Sequence, residues 1–395
     1  MFKASNIMEG YLTTLNDGRA GRYIRQPSGY SAFIPSPLPP NPPIQLDDEL
    51  IRLVSRADRA LGRLDGSILT LPDPDVFVFM YVRKEAVLSS QIEGTQSSLN
   101  DLLEAEAKVF RRGRPRDVDE VINYVAAARQ GLDRLKSLPV STRLIREIHR
   151  RLLAGVRGHE RQPGEIRRSQ NWIGPSGCTL NEATFVPPPA PEVPGALSDL
   201  ERFLHSGGQL PTLLEIGLAH AQFETIHPFL DGNGRLGRLL ITFLLCERQI
   251  LAQPVLYLSH FLKQHRQEYY DLLQAIRDRG EWEPWLSFFL TAVSEVAGEA
   301  TTTARGIVQL RERDRDRVVT TFGRAAGNGL IVLESLYTRP LISVSDTADL
   351  TGTSFSAANQ LIRRFVDVGI LREATGQARN RVFRYDDYVD LFSDR

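Results

Sequence analysis

IHPFLDGNGRLGR, residues 226–238, sits between the two most apolar helical stretches of the chain, 215–226 and 236–250, which mark the centre of its core. Pro228 disfavours helical backbone at His227, so the arriving helix ends there and leaves the imidazole beside a helix terminus. Asp231-Gly232-Asn233-Gly234 follows, a run that tolerates positive φ and whose successive amides can curl into an anion-binding nest. A new helix starts at once, so its free N–H groups and positive dipole end face the same spot. Arg235 and Arg238 stand three apart on that helix, hence on one face, and both can fork toward phosphate oxygens. Asp231 adds one hard oxygen ligand, the usual protein share of a magnesium ion held mostly by phosphates and water. Histidine is the side chain best able to take a proton from a hydroxyl near neutral pH. Base, metal ligand, anion cradle and two clamps specify a phosphoryl-type transfer site that works by positioning and charge. Glu224-x-x-His227 also has the spacing of half a di-iron site, but that chemistry needs a second such pair and the sequence has none.

Outward toward the N-terminus, residues 31–46 carry six prolines between Pro35 and Pro43, which dictates an extended, polyproline-like arm or linker. Residues 47–64 place Leu50, Val54, Ala57 and Leu61 at helical spacing, with Asp47 and Asp48 at the N-terminal end and a stop near Gly66. After the PDPD turn from Pro72, residues 76–93 read as a helix closed by Gly94. Amphipathic helices continue from Asp101 to about Leu204, broken by residues 170–189, whose Gly-Pro-Ser-Gly centre between apolar flanks predicts a projecting β-hairpin.

Toward the C-terminus, RERDRDR at 311–317 has the alternation of a solvated helix face. Residues 328–395 change rhythm. Helices at 330–337, 345–350 and 354–368, then a hairpin over 371–385 turning at Thr375-Gly376, have the order of a winged helix-turn-helix. This part has eight arginines and no lysine against nine acidic residues, a poor balance for DNA binding. Arg363, Arg364, Arg372, Arg379, Arg381 and Arg384 nonetheless fall on its third helix and wing, so DNA stands beside protein interaction or homodimerisation as a role.

Forty-eight basic residues balance forty-eight acidic ones in 395, which gives no general attraction to nucleic acid or anionic membrane. Cys178 and Cys246 are far apart and lack metal-type spacing, so neither a disulfide framework nor a zinc site is indicated. Residues 1–21 contain no signal-peptide pattern, and the longest apolar run, 239–246, is far too short to span a bilayer. The expectation is a cytoplasmic protein that does not enter a membrane.

IHPFLDGNGRLGR resembles the Fic signature His-Pro-Phe-x-Asp-Gly-Asn-Gly-Arg-x-x-Arg with no departure at a defining position. The resemblance implies a mainly α fold: a Fic-type helical core with a β-hairpin flap, an N-terminal helical inhibitory region and a C-terminal winged helix-turn-helix. The expected divisions are 1–110 for the arm and inhibitory region, 111–300 for the core, 301–327 for a helical linker and 328–395 for the winged helix. It implies a protein adenylyltransferase that moves AMP from ATP to a Ser, Thr or Tyr hydroxyl of a target or of itself, with release of pyrophosphate. His227 would be the base and Asp231 the magnesium ligand. The nucleotide would be held by Gly232, Asn233, Gly234, Arg235, Leu236, Gly237 and Arg238, with Tyr269 beside the adenine and Tyr270 its competing neighbour. The 170–189 hairpin resembles the family's flap, which aligns the target segment by strand addition. SSQIEG at 89–94 resembles the family's inhibitory pattern Ser/Thr-x-x-x-Glu-Gly/Asn, which makes Ser89 and Glu93 inhibitory residues, Glu93 pairing with Arg238. Removal of AMP, with Glu93 orienting water, and a nucleotide-sensing DNA-binding regulator are the alternatives.

Overall fold

A computed structural model describes residues 18–392 except 70, 72, 110–114, 176, 209 and 378–379; residues 1–17, Pro72 and Arg379 of the readings above lie outside the described residues. The chain opens on an antiparallel pair, β1 (Gly21–Arg25) and β2 (Ser31–Pro35), with Gly21 opposite Pro35. The proline run that follows is pinned to the body by Arg19, which donates to the carbonyls of Pro42 and Pro43 and pairs with Glu283 at 2.6 Å. The arm therefore wraps.

Helix α1 (Asp48–Leu69) runs through Gly62 and Gly66 and past the expected stop, because Leu64 and Ile68 extend its buried stripe. Burial of two such side chains outweighs roughly 1 kcal/mol of helix propensity lost per glycine. Helix α2 (Pro74–Ile92) starts on the Asp73 cap with proline in its first turn and ends at Glu93, followed by Gly94 at φ 96°. A reciprocal Ser98/Asp101 capping box starts α3 (Leu99–Glu106). Then come α4 (Val118–Leu135), α5 (Thr142–Leu152) and α6 (Val193–His205). Between α5 and α6 the expected hairpin is reduced to one antiparallel bridge, Ile173 with Phe185, because residues 180–182 turn into a short 3-10 helix.

The centre is α7 (Thr212–Ile226) and α8 (Asn233–Glu247), buried along nearly their whole lengths. Helix α4 approaches α8 so closely at Gly131 that an added Cβ would lie 2.2 Å from the Phe243 ring. Helices α9 (Ser259–Gln264) and α10 (Arg266–Arg279) lead into α11 (Trp282–Thr321). This 40-residue helix packs along α1 and carries straight through the expected division at 300.

The C-terminal part comprises α12 (Ala326–Leu336), β3 (Leu341–Ser343), α13 (Val344–Thr351), α14 (Phe355–Asp367), β4 (Arg372–Glu373), β5 (Val382–Arg384) and α15 (Asp386–Asp390). Its sheet is antiparallel in the order β3-β5-β4. The 311–317 run is not simply a solvated face: Asp314 is fully buried, accepts the Tyr385 hydroxyl at 2.5 Å and pairs with Arg313 and Arg317. Alternation of sign hides such a residue, since burial depends on what docks. This part also rests on α2, where Phe392 packs against Phe77 and Tyr81 and the Tyr388 hydroxyl reaches the Val76 carbonyl. Arg364, Arg372, Arg381 and Arg384 are engaged by Phe322 carbonyl, Asp386, Asn359 and Asp390, and Arg363 remains exposed on α14. Among the described residues no helix is long and apolar enough to cross a membrane. The mainly α class is the one expected.

Candidate active site

Helix α7 ends as Pro228 requires: His227 is its C-cap, at φ 47° and ψ 60° in the left-handed region. That conformation costs a non-glycine residue about 1–2 kcal/mol and needs outside support. Arg167, buried in the loop after α5, donates from Nε to the His227 carbonyl at 2.9 Å and from its backbone N–H to the Pro228 carbonyl at 3.0 Å. The Asn171 amide donates to the His227 and Phe229 carbonyls. Below the loop, His149 lies flat on Phe229, with ring centroids 3.7 Å apart. Its Nδ1 accepts the Gly164 N–H at 2.7 Å, so its Nε2 carries the proton donated to the Asp231 carbonyl at 2.9 Å. Burial holds this imidazole down at about 4, which keeps it neutral.

The loop then enters α8 through Gly232 at φ 77°, with no side chain capping the helix start, so the first amides of α8 have no intrahelical acceptor. Asn233 is committed inside the loop: its Oδ1 accepts the Phe229 N–H and its Nδ2 donates to the Phe229 carbonyl. Its side chain braces the cradle and is not offered to a ligand. Leu236 is likewise a core residue whose N–H already meets the Gly232 carbonyl. Gly237 faces the other way, where an added Cβ would stand 2.3 Å from Glu224 Oε1. The side chains of Asn233 and Leu236 thus serve the scaffold, and the bare Cα of Gly237 admits Glu224, which leaves the backbone amides as what the helix start can offer a ligand.

Arg238 is buried and occupied. Its Nε donates to Ser89 Oγ at 2.8 Å, and its NH2 group donates to the Ser89 carbonyl and to Glu93 Oε1 at 2.7 Å. Glu93 reaches it over Gly234, where any Cβ would lie 2.3 Å from that carboxylate oxygen. Burial pushes the Glu93 carboxyl up, yet Arg238 foremost, with Arg235 and His227, holds it below its ordinary value. SSQIEG and the 226–238 loop, 145 residues apart at this contact, thus meet at one guanidinium.

Arg235 is buried against Glu120 at 3.2 Å and lies 3.5 Å from Asp231 Oδ1, so it supplies a fixed positive field to the loop rather than an open fork. Glu120 gave no sequence signal as a partner; nor did Arg167, Asn171 or His149, since each is a lone polar residue on an otherwise unremarkable element. Asp231 keeps its side chain 37% exposed, with Oδ1 taking the Gly232 N–H and Oδ2 facing Gly158, where a Cβ would come within 2.7 Å. One half-open carboxylate beside an amide cradle fits a magnesium ion that arrives with phosphates. No cluster of three or more acidic, histidine or cysteine ligands exists among the described residues.

Tyr269 is not available to a base: it is buried, and its hydroxyl meets His220 Nε2 at 2.9 Å within a layer that includes Trp285. The next ring, Tyr270, is exposed on the same turn. Helical rotation of about 100° per residue separates the core ring from the open one, which sequence spacing alone does not orient. His227 keeps 18% of its side chain exposed, while its Nδ1 is buried without a hydrogen-bond partner. Burial, then Arg277 and Arg167, drive its basicity down to about 3.

Residues 51–133 match the Fic/DOC family N-terminal model and residues 139–245 match the Fic/DOC family model. A protein named protein adenylyltransferase Fic from Aedes aegypti is 35% identical over 146 residues, covering 36% of this chain and 26% of that protein. Its namesake from Drosophila yakuba is 32% identical over 156 residues, covering 39% of this chain and 28% of that protein. The chain thus spans about a quarter of the length of these curated relatives. A Fic family protein from Desulfovibrio desulfuricans G20 shares the fold, with a TM-score of 0.55 at 19% identity over 87% of this chain and 97% of that one. A Fic domain containing signaling protein from Bacteroides thetaiotaomicron gives 0.51 at 19% identity over 65% and 95%.

Proposed function

The chain belongs to the Fic/DOC family, and from that premise we propose that it is an autoinhibited protein adenylyltransferase, moving AMP from ATP to a Ser, Thr or Tyr hydroxyl of a target protein or of itself. The observation that carries the reading is the grip of Ser89 and Glu93 on Arg238 beside an uncapped helix start. A guanidinium so placed is an outer-phosphate clamp, and a carboxylate on it excludes the phosphate by occupying its donors.

The α8 amides and Gly234 hold the phosphate chain, with Arg235 fixing the local field. Asp231 would hold magnesium, which neutralises phosphate charge when bound. His227 takes the hydroxyl proton, the freed oxygen bonds to the α-phosphorus, and pyrophosphate departs with the broken P–O bond pair. Tyr270 stacks on the adenine side in place of Tyr269. The Ile173–Phe185 bridge offers the strand edge that lines up the target segment.

Relief of inhibition is local. Helix α2 is buried along most of its length and braced by Phe392, whereas Glu93 at its end is one-third exposed, so the last turn moves and the helix stays. Residues 328–395 we assign to a winged helix-turn-helix that contacts protein rather than DNA, since four of its six described arginines are engaged by its own chain. The Glu93→Gly chain incubated with ATP and magnesium should gain the mass of one or more AMP groups, and His227→Ala in that background should gain none. An AMP adduct that survives loss of His227 refutes the assignment.

A further inference from the structure

We propose that Glu224 is the positioning carboxylate of His227: one turn back on α7, it takes the Nδ1–H, fixes the tautomer that leaves Nε2 to receive the target's proton, and balances the imidazolium that forms. This rests on the transfer reaction proposed above. Two orphaned atoms point to it. Glu224 Oε1 and His227 Nδ1 are both buried and neither has a hydrogen-bond partner, while Glu224 Oε2 stands 3.9 Å from that nitrogen. Buried polar atoms without partners are rare, and an orphaned Nδ1 with a carboxylate one turn back forms a pair that a small movement joins through Oε2. The pocket is shaped for the carboxylate as well, because the missing side chain of Gly237 is what admits it. A rotation of the ring that closes about 1 Å joins the two groups.

The surroundings say why a carboxylate is needed. Burial opposes protonation of His227, as do Arg277 of α10 and Arg167 of the loop after α5; Glu93 at the end of α2 favours it, and so does the Glu224 backbone carbonyl within reach of the ring. When Glu93 leaves, the Glu224 carboxylate still stands 3.9 Å from the ring. Around Glu224 itself stand Arg238 of α8 and Arg277, which favour its ionised form, and Glu93, which disfavours it; burial is the larger influence and raises its carboxyl to about 7. Tyr269 of α10 is held neutral by burial. Departure of Glu93 therefore removes a like charge from Glu224 at the moment Arg238 is freed. In the step, the hydroxyl proton moves to Nε2, the Nδ1 proton stays on the ring, and Glu224 keeps its charge.

The test uses the full chain in the Glu93→Gly background. Adding Glu224→Gln should lower kcat about a hundredfold with KM for ATP unchanged. It should also flatten the rise of kcat through neutral pH, which reports ionisation of Glu224. Long-range proton–nitrogen spectra of the ¹⁵N-histidine-labelled chain, with the 227 signal assigned by its loss in His227→Ala, should show the Nδ1–H tautomer. A Gln variant that keeps both its rate within twofold and its pH limb overturns the proposal, as does an Nε2–H tautomer in the parent. Because the Glu224 backbone carbonyl also favours a protonated Nδ1, Glu224→Asp, which keeps the charge, is the second variant: it should retain more of the rate and of the pH limb than Glu224→Gln, and equal losses in the two overturn the proposal. Absence of any AMP transfer by Glu93→Gly, with the 227 ring signals shifted in Glu224→Gln, would instead strike the transfer reading and leave the pairing standing.

Discussion

Replacing Glu93 with glycine should speed AMP incorporation about thirtyfold. The contact removed is a charge-assisted hydrogen bond of 2.7 Å onto a guanidinium that is 2% exposed. Such bonds are worth about 1.5–3 kcal/mol. Because Glu93 itself is 32% exposed, solvent screening places this one near 2 kcal/mol. At roughly 1.4 kcal/mol per factor of ten, the competent state is then a few per cent populated and becomes dominant on substitution. Ser89→Ala removes only the Nε contact and leaves the Ser89 carbonyl in place, a loss of about 1 kcal/mol and roughly a fivefold gain. Glu93→Gln, which keeps an acceptor without the charge, should fall between. Initial rates with ATP labelled on its α-phosphate, at low protein concentration, rank the three. If Glu93→Gly matches the parent, or Ser89→Ala equals Glu93→Gly, the Arg238 clamp is not the inhibited element.

His149 and His220 are both buried with basicity lowered to about 4, chiefly by burial, so the folded state binds fewer protons than the unfolded chain between about pH 6.5 and 4. Stability is complete above that window and should fall as pH drops through it, by the order of 3 kcal/mol per ring; thermal midpoints measured from pH 7 to 4 should decline, and His220→Gln should flatten part of the slope. Tyr385→Phe deletes the hydroxyl that Asp314 accepts in a fully buried site and should destabilise the chain by about 1–3 kcal/mol in denaturant titration; no shift in midpoint would mean that Arg313 and Arg317 alone satisfy that carboxylate.

Much of the site was legible because its chemistry is local. Pro228, Gly232 and the helix start after it lie within a few residues, and each acts through backbone geometry that neighbouring residues impose. The helices α2, α13 and α14 were legible for the same reason, being bounded by caps that read directly in sequence. The misplaced elements share a different cause. α1, packed along α11, outran its glycines because Leu64 and Ile68 are buried, and the flap lost its strands to a 3-10 turn. Asn233 and Tyr269 were assigned to the ligand by resemblance, but which way a side chain turns depends on the facing helix.

Taken alone, the order of residues determined a mainly helical protein, a loop able to cradle phosphate next to a histidine, and a second motif able to oppose it. The family resemblance already set Glu93 against Arg238; only the tertiary structure decided that Asp314 is buried, that Arg235 is already matched by Glu120, and that Glu224 lies behind His227 with an atom unpartnered. The physical reason is range. Backbone preferences are fixed by adjacent residues, whereas the field at a charged group is set by whichever elements packing brings within a few ångströms of it.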